Sequence, residues 1–242
     1  MNGDDFGRSE GLTRGVVEAH VRGILTSTSI VAASHHFDLA VSLAKQHPEL
    51  GVGVHLVIDE YEPLSPPGGI KSLLTPDGSY YARPVALWKI LVGQISPAEC
   101  LREWEAQIAR VVDAGLKPTH LDGHGHCHAS PTLAGLVADL AKRFGIGAVR
   151  LPTEKLWRRG EAGKFQPRRH LEKVLLNAAC MRPRTHWNRR LKSPDHFFGF
   201  MDAGRFSRAA LDGVARSLTS GVSELMAHPA LDNDDLPYGL AY

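Results

Sequence analysis

Val52-Gly53-Val54-His55-Leu56-Val57-Ile58 is a continuous apolar run interrupted by one histidine. A parallel strand covered by helices on both faces has this composition, and the single polar residue in it marks a delivered functional side chain. Upstream, His36 to Gln46 reads as a short helix stopped at Pro48 and Thr26 to Ser34 as a β-branched strand. Residues 9–22 read as a helix, with Leu12, Val16, Val17 and Ala19 at near-helical spacing after Ser9 and Glu10. Downstream, Pro97 opens a helix in which Leu101, Trp104, Ile108, Val111 and Val112 recur up to Gly115, and a strand follows Pro118. Pro131 starts another amphipathic helix that ends at Gly145, and Ala148-Val149-Arg150-Leu151 follows it. The late chain repeats the pattern, with a helix near 206–218 and a strand Glu224-Leu225-Met226-Ala227 running into His228-Pro229. Residues 60–96, rich in Pro and Gly with the turn Pro76-Asp77-Gly78, read as a long excursion and not a core element. Strand–helix alternation throughout predicts a parallel α/β architecture, whose catalytic groups gather at the carboxyl ends of the strands.

The composition agrees. A chain of 242 residues that is 43% hydrophobic and 22% charged can bury a core, which excludes disordered and fibrous classes. No stretch approaches the roughly 18 apolar residues of a membrane span, and Met1 to Asp5 has neither the basic start nor the apolar run of a secretory signal. A soluble, cytoplasmic protein is expected. Twenty-eight basic against 26 acidic side chains argue against a dedicated nucleic-acid binder. Cys100, Cys127 and Cys180 lack paired spacing and read as small buried side chains, and Trp104 reads as core. The neutral total hides a basic segment, because residues 153–193 hold twelve Lys or Arg against three acidic residues. That segment is either a solvated helical face or a contact with an anionic partner, phospholipid headgroups or a phosphorylated substrate.

Chemistry concentrates in His120-Leu121-Asp122-Gly123-His124-Gly125-His126-Cys127-His128, where every even position is polar, so in extended chain these residues share a side. Packed imidazoles cannot all ionise cheaply, whereas a divalent metal satisfies neutral ring nitrogens. The adjacent carboxylates Asp4-Asp5 are the second signal, since they repel one another without a partner. A carboxylate at the mouth of one strand, His55 in another and His124 in a third make a ligand set that leaves positions open for water and a substrate oxygen. Zinc or magnesium is the first expectation for such a set, and manganese, cobalt or nickel also suit it. Aspartate–histidine metal sites serve phosphoryl transfer too, which keeps a phosphoesterase in view.

Several segments, in order along the chain, resemble one family. They are Asn2-Gly3-Asp4-Asp5-Phe6-Gly7, Gly53-Val54-His55-Leu56, Pro118 to His124 with His126 and His128, and Met226-Ala227-His228-Pro229-Ala230. They look like the YdjC-like carbohydrate deacetylases, which include the chitooligosaccharide deacetylases. Val149-Arg150-Leu151-Pro152 and Gly221-Val222-Ser223-Glu224 are most similar to the hopanoid-biosynthesis-associated branch. The resemblance implies one domain over residues 1–242, a distorted TIM-like (β/α) barrel of seven strands. It also implies hydrolysis of the N-acetyl group of an amino sugar, carried by an oligosaccharide or a glycolipid. Carried over, it makes Asp5, His55 and His124 the metal ligands, Asp4 the general base and His228 the acid that protonates the leaving amine. Arg150 and His126 would hold substrate. Only Met1 precedes Asn2, so the first barrel strand is expected to be missing or truncated, and the chain stops fourteen residues after His228, where a closing helix is expected. A non-catalytic barrel that binds sugars or lipid headgroups after losing that strand is the alternative. Expected partners are the acetylated substrate, an anionic membrane surface contacted through 153–193 at the inner membrane face, and a second copy in a homodimer.

Overall fold

A computed structural model describes residues 1–158, 166–187, 191–204 and 206–231 of the chain. Part of the basic segment, residues 159–165 and 188–190, lies outside the described residues, as does the end of the chain from 232. Six parallel strands form one curled sheet in the order β4-β3-β2-β1-β6-β5. They are β1 (Asn2–Phe6), β2 (Ser27–Ile30), β3 (Gly51–Leu56), β4 (Leu121–Gly123), β5 (His196–Phe198) and β6 (Ser223–Ala227). The helices are α1 (Glu10–Val21), α2 (Phe37–Gln46), α3 (Arg83–Leu91), α4 (Pro97–Asp113), α5 (Ala134–Arg143), α6 (Pro167–Ala179), α7 (Met181–Trp187) and α8 (Arg208–Ala215). Between the outer strands, Val149 bridges Leu121 of β4 and Ala148 bridges Lys192 just before β5, both in parallel. The described residues therefore give six strands rather than seven, with residues 148–149 contributing single bridges.

A first strand is present, which corrects the expectation that it could be missing. Asn2-Gly3-Asp4-Asp5-Phe6 is itself that strand, and it sits inside the sheet, Asn2 opposite Ser27 of β2 and Met226 of β6. Asn, Gly and Asp are poor strand formers, but pairing on both sides overrides that preference. The excursion at 60–96 is a second correction. Ile70, Leu73, Leu74, Tyr80 and Ile90 join the main apolar core. Turns of 3₁₀ type at Pro67–Gly69 and Lys71–Leu73 carry in Ile70 and Leu73, and α3 carries in Ile90. Buried Glu103 of α4 holds that excursion by accepting from the amides of Leu64 and Ser65 at 3.1 and 2.9 Å.

The helices follow their signals. Ser9 caps α1 by accepting from the Leu12 amide at 3.1 Å. Pro97 opens α4, whose Cys100, Trp104, Ile108 and Val111 are fully buried. The three cysteines are free and buried. The helix announced at Pro131 starts later, at Ala134.

The apolar core lies outside the sheet. Val52, Val54 and Leu56 of β3 point into it. The alternate residues face the other way, toward an interior that is polar, with Asn2, Asp4, Ser29, His55, Asp122 and Arg150 all buried there. Gly15 of α1 lies so close to the chain after β6 that an added Cβ would fall 2.5 Å from the Pro229 carbonyl oxygen. This close packing fixes the segment that follows His228.

Candidate metal centre

Asp4 and Asp5 reach one site because β1 is bulged. The register runs Gly3 to Thr28 and then Phe6 to Ile30, so β1 holds one residue more than β2 between those pairs. Asp5 takes a left-handed φ of 63°, rare for a residue with a side chain. A bulge of this kind re-aims a side chain that regular alternation would send to the opposite face.

Asp5 Oδ1 lies 3.4 Å from His55 Nε2 and 3.3 Å from His124 Nδ1, and all three residues are buried. Its other oxygen, Oδ2, accepts from Arg8 Nη1 at 2.9 Å. His55 is directly opposite Asp122 in the β3–β4 register, and its Nδ1 lies 2.8 Å from Asp122 Oδ1. Ser29 donates to the second Asp122 oxygen at 2.9 Å. His124 Nε2 lies 2.8 Å from Glu60, which also pairs with Arg8 Nη2 at 2.7 Å. Arg83, on the first turn of α3, contacts the same His124 nitrogen and pairs with Asp59 at 2.8 Å. Each imidazole thus has a carboxylate on the nitrogen that faces away from Asp5, an arrangement that fixes ring orientation and raises ligand basicity in metal sites.

The charges are strongly coupled. Burial opposes ionisation of Asp5, but His124, His55 and Arg8 outweigh it and hold the carboxyl well below its usual range. Burial opposes protonation of His124, yet Asp5 and Glu60 raise it to about 9. His55 is raised against burial by Asp122. Two imidazoles raised around one buried carboxylate show a place that favours positive charge. Their donor atoms and the carboxylate oxygen lie within 4.8 Å of one another. Ligands 2.0–2.1 Å from a tetrahedral zinc stand about 3.3–3.4 Å apart, so the Asp5 contacts fit a shared cation. A second group, Asp4, His55 and Asp122, also has suitable spacing. Both of its carboxylates are already paired with Arg150, so the Asp5 set is the better cation holder.

Arg150 organises the interior. It grips Asp4 through two bonds of 2.6 Å and reaches Asp122 at 2.9 Å and Glu224 at 2.6 Å. Asn2 donates to Asp4 at 2.8 Å. With 1% exposure, Arg150 spends its donors on carboxylates of the sheet's polar face. His228, at the end of β6, places Nε2 4.0 Å from Asp5 Oδ2, and burial lowers it from its usual value against the pull of Asp5 and Asp4. His126 stands beside Phe197 and Phe200, with ring centroids 5.7 and 6.0 Å away, and its Nδ1 has no hydrogen-bond partner among the described residues. The structure therefore brings Asp4, Asp5, His55, His124 and His228 together, with Arg150 behind Asp4 and His126 to one side. Asp122, Glu60, Arg8 and Arg83 are the participants that sequence reasoning did not assign. Asp122 had a signal, its even position in the polar stripe, and the other three had none.

His128 serves structure. It stacks on Trp187 at 5.9 Å with planes 5° apart and its Nε2 lies 3.0 Å from the Arg150 carbonyl oxygen. Burial pushes it down to about 4. An unfolded chain takes up this proton near pH 6.5, so between those values the unfolded state binds more protons and stability falls as pH drops. Urea unfolding from neutral pH to about pH 4 should show a loss approaching ~3 kcal/mol from this residue, with His126 shifted in the same direction. His128→Phe should lose that part of the slope, and an unchanged slope would contradict the assignment.

Fold and site together define an α/β protein with a curled parallel sheet and a buried Asp–His–His cluster able to hold a cation. The chain belongs to the YdjC-like family, whose model matches residues 1–241. A carbohydrate deacetylase of Brevibacillus brevis is 41% identical over 152 residues, 63% of this chain and 58% of that protein. One from Geobacillus stearothermophilus is 38% identical over 146 residues, 60% of this chain and 56% of its own. These matches thus span somewhat over half of those two relatives. A carbohydrate deacetylase of Thermoanaerobacter pseudethanolicus is 29% identical over 239 residues, 98% of this chain and 82% of the relative. A solved Enterococcus faecalis structure, named for a proposed cleavage of cellobiose phosphate, superposes with a TM-score of 0.69 over 95% of this chain and 79% of its own. At 23% identity it supports the fold alone.

Proposed function

We propose that this protein is a divalent-metal-dependent hydrolase that removes the N-acetyl group from an amino sugar. The observation that carries the reading is Asp5 between His55 and His124 at the carboxyl ends of their strands, with Asp4 beside it. Asp5, His55 and His124 would hold the cation, which when bound polarises the amide carbonyl and makes a water acidic enough to attack. Asp4 accepts the water proton as general base. Arg150, with Asn2, orients the Asp4 carboxylate, so its contribution is to aim the base. His228 supplies a proton to the leaving nitrogen, and a histidine of lowered pKa is the stronger donor once charged. His126, with its unpartnered nitrogen beside two phenylalanines, offers a hydrogen bond next to an apolar sugar face.

The substrate class is an N-acetylated oligosaccharide of the chitooligosaccharide kind or a lipid-linked amino sugar. The segments Val149–Pro152 and Gly221–Glu224 support the hopanoid-linked case. The alternative, a non-catalytic barrel that binds sugars or lipid headgroups, is less favoured because β1 delivers Asp4 and Asp5 to the cluster. Among the described residues no helix is long and apolar enough to cross a membrane. We place the protein in the cytoplasm, where three buried free thiols are at home.

The test is acetate release from N-acetylglucosamine oligomers and acetylated glycolipids. Release should stop on chelation and return with a divalent metal. Saccharide binding without any release, whichever metal is supplied, would refute the proposal.

A further inference from the structure

Helix α6 turns only part of its apolar surface to the core, through Leu176. Of its thirteen residues only Lys173 is buried. The Lys173 Nζ donates to the carbonyls of Lys155, Leu156 and Arg158 at 3.2, 2.9 and 2.6 Å. Leu171, Val174 and Leu175 form one stripe at i, i+3 and i+4, and they are 60%, 46% and 60% exposed. The carbonyl held by Lys173 brings Leu156 alongside, with Trp157 next to it, and Met181 continues the surface at the start of α7; all three are exposed. An amphipathic helix ordinarily turns such a stripe to the core, so this one is shaped to be covered by something else.

Charge selects the cover. The exposed basic residues of this region are Arg168, Arg182 and Arg184, with Lys155 half-buried, against Glu172, which is paired with Arg168 at 3.0 Å, and Asp195, which lines a cavity with Lys155 and Arg184. A two-fold contact between copies would set this basic patch against itself. Leucines and a tryptophan beside arginines and lysine are the composition of a helix lying in a lipid interface.

We propose that α6, with residues 155–157 and Met181, docks the protein on an anionic lipid surface. Arg169, one turn from Lys173 on the inner side of α6, donates to the carbonyls of Phe200 and Ala203 at 3.0 and 2.8 Å, so the helix is anchored by that side and leaves the Leu171 stripe outward. The docking does not depend on the function proposed above.

The test is sedimentation of the full chain with phosphatidylcholine–phosphatidylglycerol vesicles and with pure phosphatidylcholine vesicles, at low and high salt. Binding to the anionic vesicles at low salt is expected, with little on phosphatidylcholine and a marked loss at high salt. The double variant Leu171→Glu, Leu175→Glu should lose at least about tenfold in vesicle affinity while keeping its circular dichroism, its melting temperature and its acetate release from a soluble saccharide. Arg182→Glu should cost about fivefold or more by charge alone. Absence of binding at low salt, or equal binding by the double variant, overturns the proposal. So does a wild-type dimer in light scattering that the double variant dissolves, which would show that a second copy covers the stripe.

Discussion

Replacement of Asp4 by asparagine should lower kcat for deacetylation by ~10²–10⁴-fold and leave cation affinity within a few-fold of wild type. The side chain keeps its shape and one acceptor oxygen, but it can no longer take a proton from water. Asp4 contacts Arg150 and Asn2, not the oxygen that Asp5 presents to His55 and His124, so the cation holders stay in place. Equilibrium dialysis with zinc, run beside the rate measurement, separates the two effects. His124→Ala provides the contrast, because it removes a ligand and should lose both binding and turnover. A full rate in the Asp4→Asn protein would remove Asp4 from the chemistry.

The largest stability effect should come from Arg150→Met, a loss of ~3–5 kcal/mol at neutral pH. The guanidinium is the counter-charge for Asp4, Asp122 and Glu224 within a space almost closed to water. Methionine matches much of its length but leaves three carboxylates facing one another. Burial already raises Glu224 from its usual value, so that group takes up a proton first and relieves part of the loss. The deficit should shrink further as pH falls and the carboxylates protonate. Arg150→Lys should recover only part of the stability, since an ammonium cannot make the paired contact with Asp4. Urea unfolding measures all three proteins, and wild-type stability in Arg150→Met would show that the network is not under this charge. Kinetics then distinguish aiming from substrate contact. A fall in kcat at constant KM in Arg150→Lys marks Arg150 as a positioning residue, whereas a rise in KM alone would mark a substrate contact.

Much of this was legible in the sequence where periodicity and chemistry coincide. The run around His55 announced a buried strand, and the even-numbered polar stripe announced His124 and, unassigned, Asp122. What escaped depends on contacts between distant residues. Glu60 reaches Arg8 across 52 positions, and no local pattern encodes that pairing. The first strand was expected ahead of Asn2, where only Met1 stands, whereas Asn2–Phe6 itself pairs with Ser27 and Met226 despite the poor strand propensity of Asn, Gly and Asp. The 60–96 excursion was misjudged because Pro and Gly in its turns masked Ile70 and Leu73, which complete the core. The spacing of Leu171, Val174 and Leu175 would ordinarily predict burial, and only the structure shows Lys173 taking the inner position.

The polar interior of the sheet has a consequence for remodelling. In barrels whose centre is filled with aliphatic layers, scaffold and reactive groups are separate inventories, and one can be altered while the other is kept. Here the ions that fasten the strands from within are the same ones that surround the candidate cation site. A new specificity is therefore better sought in the rim loops, because each edit at the centre changes the framework and the chemistry in a single stroke.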